Sequence, residues 1–206
     1  FVPVKNRTNL SERGFTDTDE LYRKITSVYT WDTLKRTDWF VDYQNLFTFT
    51  GVMSQRGMFA SAAMEMIEAG ETERAVEILD KCQSVIPVEN FPLDMTMYGF
   101  ANERDMVSLI EAYYLAGESA KASALCSSMS DDILVSCKFF LRHYEYAEEY
   151  FDSCYTVLGV LSSMADEYGD SALPLIPFQF FQKINQYFIN KLNKCQDGFL
   201  MGSILF

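Results

Sequence analysis

A seven-residue pattern that occurs twice in this chain of 206 residues constrains its fold more than any other feature. The copies are A-G-E-T-E-R-A at 69–75 and A-G-E-S-A-K-A at 116–122, and their glycines lie 47 residues apart. Apolar residues at helical spacing flank both copies, so each pattern is predicted to be the turn between two helices. A repeat of this kind is typical of helical-hairpin arrays.

The first copy carries signals for a helix end and a helix start. Gly70 fits the C-terminal position of a helix, where left-handed dihedral angles are required, and Thr72 is predicted to cap the next helix. Pro87 is predicted to stop that second helix because proline lacks the N–H that a helix interior needs. The apolar faces of the two helices are Phe59, Ala62, Ala63, Met66 and Ile67, then Ala75, Ile78, Leu79, Cys82 and Ile86.

The second copy repeats this organisation, with Gly117 at the turn and Ser119 as the expected cap. Its apolar faces are Met106, Leu109, Ile110, Tyr113 and Tyr114, then Ala122, Leu125, Cys126 and Met129. The spacing resembles the tetratricopeptide repeat, which has a small residue in the first helix, a turn glycine, an early alanine and a final proline. The second copy departs from it, because Ile110 replaces the small residue and Leu134 stands where proline is expected. The alternative is two unrelated hairpins that share a turn sequence.

The resulting fold prediction is an all-α chain of six to eight helices, forming a degenerate tetratricopeptide-like array (an α-α superhelix). Residues 1–52 are expected to contribute one helix that starts near Asp17 and an irregular aromatic loop over the first hairpin, and residues 53–206 to form the array, all in one compact domain. An insert from Val88 to about Asp105 explains the long repeat. Three further features are expected: a new helix from Ser130 with a break near 143–145, a faint third turn at Gly169, and a last helix over 178–192.

Composition limits the classes of partner. Hydrophobic residues make up 49% of the chain and aromatic residues 15%, which favours a folded domain. The net charge of −12 disfavours nucleic acid and anionic membrane surfaces, since phosphate binding needs clustered Lys and Arg. No apolar run approaches the roughly 20 residues of a membrane span. The start at Phe1 without a methionine is interpreted as the start of a piece of a longer protein.

The sequence carries few groups suited to catalysis. His143 is the only histidine, and no nucleophile elbow, helical H-E-x-x-H or glycine-rich phosphate loop occurs. The five cysteines form no C-x-x-C pair, and Cys82 and Cys126 lie on apolar faces where cysteine acts as a small hydrophobic residue. We therefore expect no enzyme activity, cofactor or metal in this chain. A small hydrolase centred on His143 is the least favoured hypothesis.

Several segments in the first two thirds of the chain resemble a known family. They include F-V-P-V-K at 1–5, G-F-T-D-T-D at 14–19, F-V-D-Y-Q-N-L at 40–46, V-I-P-V-E-N-F-P at 85–92 and E-A-Y-Y-L-A-G-E at 111–118. This order is similar to the soluble C-terminal region of bacterial multi-pass membrane proteins related to protein O-mannosyltransferases. The resemblance implies an upstream membrane part that holds any transferase residues, and a location on the periplasmic side of the inner membrane. It implies membrane contact only through that upstream part.

The sequence supports two functional hypotheses. The first is a noncatalytic protein-interaction or assembly domain of such a glycosyltransferase-like protein, binding an acceptor polypeptide in a groove lined by Phe59, Met66 and Tyr113. Each of these three positions fits the hydrophobic core better than it fits a groove. The alternative is a glycan-binding module that stacks sugar rings on Trp31, Trp39 and Tyr43, although aromatic clusters of this kind are also typical of a core.

Overall fold

The computed structural model describes residues 17–36, 52–94 and 100–170, and within these ranges the chain is helical, with no β-strand. The all-α prediction is therefore confirmed. A π-helical turn over Lys24–Val28 extends the first helix, and a 3-10 helix covers Asp32–Lys35. The six α-helices of these ranges are α1 Thr18–Arg23, α2 Val52–Glu68, α3 Thr72–Val85, α4 Phe100–Leu115, α5 Ser119–Arg142 and α6 Tyr144–Glu167.

The helices pack as successive pairs around one hydrophobic core. Helix α2 packs on α3 and most extensively on α4, α4 packs on α5 and α6, and α5 packs along α6. Contacts therefore join not only consecutive helices but also α2 with α4 and α4 with α6. Each of these helices buries one face, which accounts for the apolar stripes of the sequence.

Three helix ends share one geometry, the Schellman motif. Gly70, Gly117 and Gly169 have φ of 82°, 81° and 67°, in the left-handed region predicted for the first two glycines. In each case the glycine N–H binds the carbonyl oxygen three residues earlier, at 2.9, 2.9 and 3.2 Å. The next N–H then binds the carbonyl five residues before it, at 2.8, 2.9 and 2.8 Å. The third turn, at Gly169, therefore repeats the backbone of the other two.

The predicted caps of α3 and α5 are wrong. Each N-cap position is the glutamate after the turn glycine, Glu71 or Glu118, and neither side chain makes a capping hydrogen bond. The turns are so short that the residue closing the Schellman motif also opens the next helix, which leaves Thr72 and Ser119 inside the first turn. Asp17 does cap α1, because its Oδ1 accepts the Glu20 N–H at 3.0 Å.

Helix lengths differ from expectation beyond residue 129. Helix α5 continues to Arg142, so the predicted new helix at Ser130 is wrong. Its buried stripe of Ala122, Cys126 and Met129 runs on without a proline or glycine through Ile133, Cys137 and Phe140. The break expected near 143–145 is confirmed at His143, where α5 ends. Helix α4 begins at Phe100, earlier than the expected insert end at Asp105, and the predicted helix over 178–192 lies outside the described residues.

The N-terminal segment packs over the first hairpin. Ile25 is fully buried, and the ring of Trp31 lies 5.1 Å from that of Phe59, centroid to centroid. The Asn90 side-chain amide, from the loop after α3, donates to the carbonyl oxygens of Leu34 and Arg36 at 3.0 and 2.7 Å. The part of the aromatic loop that the structure describes, residues 31–36, therefore lies where it was expected.

Candidate functional site

Both repeated turns place a cation in the same surroundings, and the first is at Arg74. Its guanidinium pairs with Glu71 one turn earlier at 3.1 Å and with Asp19 of α1 at 2.6 Å. It also lies over the ring of Tyr22, 5.0 Å from the centroid. The cation therefore links the turn to a helix that comes earlier in the chain.

Lys121 occupies the equivalent position of the second copy. Its Nζ pairs with Glu118 at 3.5 Å and with Asp80 of α3 at 2.7 Å, and it lies 5.9 Å from the ring centroid of Tyr113. These ion pairs are largely exposed, so they orient the helices and add little stability. The most regular polar feature of the chain is thus an internal link between helices.

Tyr113 and Tyr114 are also committed to internal contacts. The Tyr113 hydroxyl donates to Asp80 at 3.0 Å, and burial, reinforced by Asp80, raises the pKa of this phenol above its ordinary value. The Tyr114 hydroxyl donates to Asp170 at 2.7 Å, and its ring stacks on Tyr168 with centroids 4.6 Å apart. The pair joins α4 to α3 on one side and to the third turn on the other.

The three residues proposed to line a groove are core residues in the structure. Phe59 and Met66 are 0% exposed and Tyr113 is 1% exposed. Their side chains pack within the hydrophobic core, the second interpretation that their positions allowed. These three side chains therefore line no exposed groove.

The proposed glycan platform is described only at Trp31. This ring is partly buried, packs against the core, and donates from Nε1 to the Ile25 carbonyl at 3.0 Å. Its exposed neighbour is Tyr29, whose ring meets it edge to face at 5.9 Å. Trp39 and Tyr43 lie outside the described residues.

The thiols on the predicted apolar faces are core groups. Cys82 and Cys126 are fully buried, and burial raises the pKa of each thiol to about 12. A thiol with such a pKa carries almost no thiolate at neutral pH, so it packs as an uncharged group. Their interpretation as small hydrophobic residues is supported.

The second half of α5 exposes an apolar and aromatic surface that the sequence analysis missed. We name it the α5 ridge and define it as Val135 and Phe139 of α5, His143 at its end, and the neighbouring Tyr150 of α6. Val135 is 68% exposed and Phe139 58% exposed, although both belong to residue types that proteins usually bury. The missed signal was simple: in a continuous helix, buried Ile133, Cys137 and Phe140 put Val135 and Phe139 on the outer face.

The rings of the ridge form one connected series. The ring centroid of Phe139 lies 4.8 Å from that of His143 and 5.6 Å from that of Phe140. The ring centroid of Phe140 lies 5.4 Å from that of Tyr150 on α6. Phe140 is buried and anchors the exposed rings to the core. His143 is the exposed C-cap of α5, so its ring serves here as part of an aromatic surface.

Opposite charges flank the ridge along α5. Asp131 and Asp132 precede Val135 by about one turn, and Lys138 and Arg142 follow it, all of them exposed. Burial, followed by the charges of Asp94 and Asp131, raises the pKa of Asp132. Asp94 in turn accepts a hydrogen bond from the Ser136 hydroxyl. The outer face of α5 over residues 131–142 thus begins with two acids and ends with a base, and the exposed apolar residues lie between them.

Comparisons with known proteins gave no match to a family model, a curated protein or a solved structure. Within the part of the chain that the structure describes, no helix is long and apolar enough to cross a membrane.

Proposed function

We propose that this chain is a noncatalytic protein-interaction domain built as a degenerate tetratricopeptide-like array. Two hairpins with the same Schellman turn, and the packing of α4 between α2 and α6, support the array. In this proposal the second hairpin is the functional one, because its long helix α5 carries the exposed surface. We further propose, from the sequence resemblance, that the domain forms the periplasmic tail of a membrane glycosyltransferase-like protein.

The α5 ridge is the observation that carries the proposal. Single exposed apolar residues are normal on protein surfaces, whereas rings in mutual contact and flanked by charges are typical of protein interfaces. Aromatic residues and arginine contribute most strongly to such interfaces. Phe139, Tyr150 and Arg142 supply both residue types on neighbouring helices.

Site-specific photocrosslinking in cells tests this proposal. We would replace Phe139 by p-benzoylphenylalanine in the full-length protein, and replace Tyr155, an exposed aromatic residue of α6, in the matched control. A protein adduct at position 139 and none at 155 is the expected result. Equal labelling at both positions, or none at either, would rule out the ridge as a binding surface.

A further inference from the structure

We propose that the α5 ridge docks on the same ridge of a second copy of this chain, with the two α5 helices antiparallel about a two-fold axis near residue 137. The inference rests on the proposed function, because it names the partner of that surface. It is based on the order in which charged and apolar residues occur along one helix.

The outer face of α5 has a simple order. At about 100° per residue, six side chains of the segment 131–142 fall within an arc of about 120° opposite the buried stripe. They are Asp131, Asp132, Val135, Lys138, Phe139 and Arg142. The acids come first, Arg142 comes last, and Val135, Lys138 and Phe139 lie between them, so reversing the helix direction sets the acids against Arg142.

An antiparallel arrangement matches this order residue by residue. With a two-fold axis at residue 137, Val135 faces Phe139 of the partner subunit, and Phe139 faces the partner's Val135. Asp132 then lies opposite Arg142 of the partner subunit, and Asp131 lies opposite His143 of the partner subunit. Each contact occurs twice, which is the property of an isologous interface.

The local charge of this surface differs from that of the chain as a whole. The chain carries −12, so two copies repel one another on average. Residues 131–142 on the outer face of α5 instead balance two acids with two bases. In the antiparallel register the acids lie opposite Arg142 and His143 of the partner subunit, and Lys138, beside the axis, is the one charge of this face that lies near its own symmetry equivalent.

The expected affinity is modest. A single pair of helices buries less than the roughly 1,200–2,000 Å² of a standard stable interface, so we expect a dissociation constant of about 10–100 μM. Such a dimer forms readily where a membrane or a larger assembly concentrates the chains. It should weaken when either end of the ridge has its charge reversed.

Sedimentation equilibrium of the whole chain, with charge-reversal variants, tests the arrangement. The wild-type chain should approach twice its monomer mass of 23.7 kDa at about 500 μM, well above the expected dissociation constant. Asp132→Arg alone and Arg142→Asp alone should each weaken self-association by about tenfold or more, because each sets like charges opposite one another. An equimolar mixture of these two variants should dimerise again, and so should the double variant D132R/R142D. Both positions are exposed, so a circular dichroism spectrum like that of the wild type is expected.

The outcomes separate this inference from the proposed function. A wild-type chain that stays monomeric at about 500 μM overturns the dimer, while a crosslink from position 139 to another protein would leave the proposed function standing. If the wild-type chain dimerises but neither the equimolar mixture nor the double variant does, the antiparallel register is overturned. Phe139→Ser, with Tyr155→Ser as its control, gives a second measurement that does not depend on the charges: only the change at Phe139 should abolish dimerisation.

Discussion

The two hairpins of this molecule share a turn and differ in the length of their second helix. The α2–α3 and α4–α5 connections have the same left-handed glycine, the same two backbone hydrogen bonds and an equivalent cation, Arg74 or Lys121. Yet α3 has 14 residues and α5 has 24. The turn is therefore fixed by a few local residues, and the length of the second helix is fixed elsewhere in the chain.

The difference lies in how each second helix ends. Helix α3 stops at Val85, and Pro87 comes two residues later, whereas α5 has Leu134 at the equivalent position and continues along α6. The apolar stripe of α5 persists past that point, so burial supports the added turns. The extra length carries the α5 ridge, which means that the functional proposal depends on an absent stop residue.

The largest expected effect on stability comes from replacing Arg56 of α2. This residue is 2% exposed and binds the backbone that follows the end of α3. Its guanidinium donates to the carbonyl oxygens of Ile86, Phe91 and Pro92, at 3.4, 2.7 and 3.1 Å. Arg56→Ala leaves those oxygens without these donors and removes a buried side chain, so the free energy of unfolding should fall by about 4 kcal/mol. Urea denaturation measures this fall.

Arg74→Ala is the matched control for Arg56. Arg74 is also an arginine of the first hairpin, but its contacts are exposed ion pairs of the kind that contribute little to stability. Its unfolding midpoint should stay close to that of the wild type. Equal midpoints for the two alanine variants would show that Arg56 does not hold the end of α3 in place.

Exchanging the stop residue tests the comparison directly. Leu134→Pro removes one helical hydrogen bond and clashes with the preceding turn, so α5 should end near residue 133 at a cost of about 3 kcal/mol. Circular dichroism should show lost helix, and dimerisation through the ridge should disappear. Pro87→Leu serves as the reciprocal variant and should change stability far less, because Phe91 and Leu93 remain buried beyond α3. Full helix content in Leu134→Pro would contradict this account of helix length.

The parts of the fold that could be predicted from sequence are those set by adjacent residues. The left-handed glycines were predictable because each depends on the preferences of a few neighbouring positions, whereas the break at His143 was expected from the length of the uninterrupted stretch. The continuation of α5 was missed because Asp131 and Asp132 resemble a helix start, and only packing against α6 overrides that signal. The burial of Arg56 could not be anticipated either, since arginine is rarely inside and its carbonyl partners come from a distant loop.

The candidate site was predicted less well than the fold. Phe59, Met66 and Tyr113 were chosen as apolar residues of the first helix in each pair, and that pattern identifies a helix face without saying whether another helix covers it. Helices α2 and α4 cover each other, and this decides that the three residues are buried. The contacts between the two helices join residues far apart in sequence. The exposed ridge depends in the same way on where α6 lies against α5.

Equal turns should respond equally to the same change. Gly70→Ala and Gly117→Ala each place a Cβ in open space, so the only cost is the left-handed backbone, about 1 kcal/mol in both cases. Gly159→Ala, within α6, should instead stabilise the chain by about 0.5–1 kcal/mol, because alanine favours the helix and meets no neighbouring atom. Thermal denaturation of the three variants measures these changes. A clear difference between the first two would mean that the turns are not equivalent.

The smallest effect at neutral pH is expected where the two hairpins meet, at the hydrogen bond from Tyr113 to Asp80. Tyr113→Phe should cost only about 0.5 kcal/mol at pH 7, because Lys121 remains paired with Asp80.

The larger effect of Tyr113 on stability should appear in alkaline solution. Burial, helped by Asp80, raises the pKa of the folded phenol above its ordinary value, so above about pH 10 the unfolded chain releases a proton that the folded chain keeps. The stabilisation that comes from keeping this phenol neutral is then fully present below about pH 10 and is lost above it. Tyr113 adds up to about 1.4 kcal/mol per pH unit to the slope of the free energy of unfolding against pH. The urea midpoint of the wild type should fall to that of Tyr113→Phe at about pH 10 and lie below it by about pH 11.5. Since Tyr114 also has a raised pKa, the variant keeps part of the decline, and curves that stay parallel would mean that Tyr113 is not held in its neutral form at this junction.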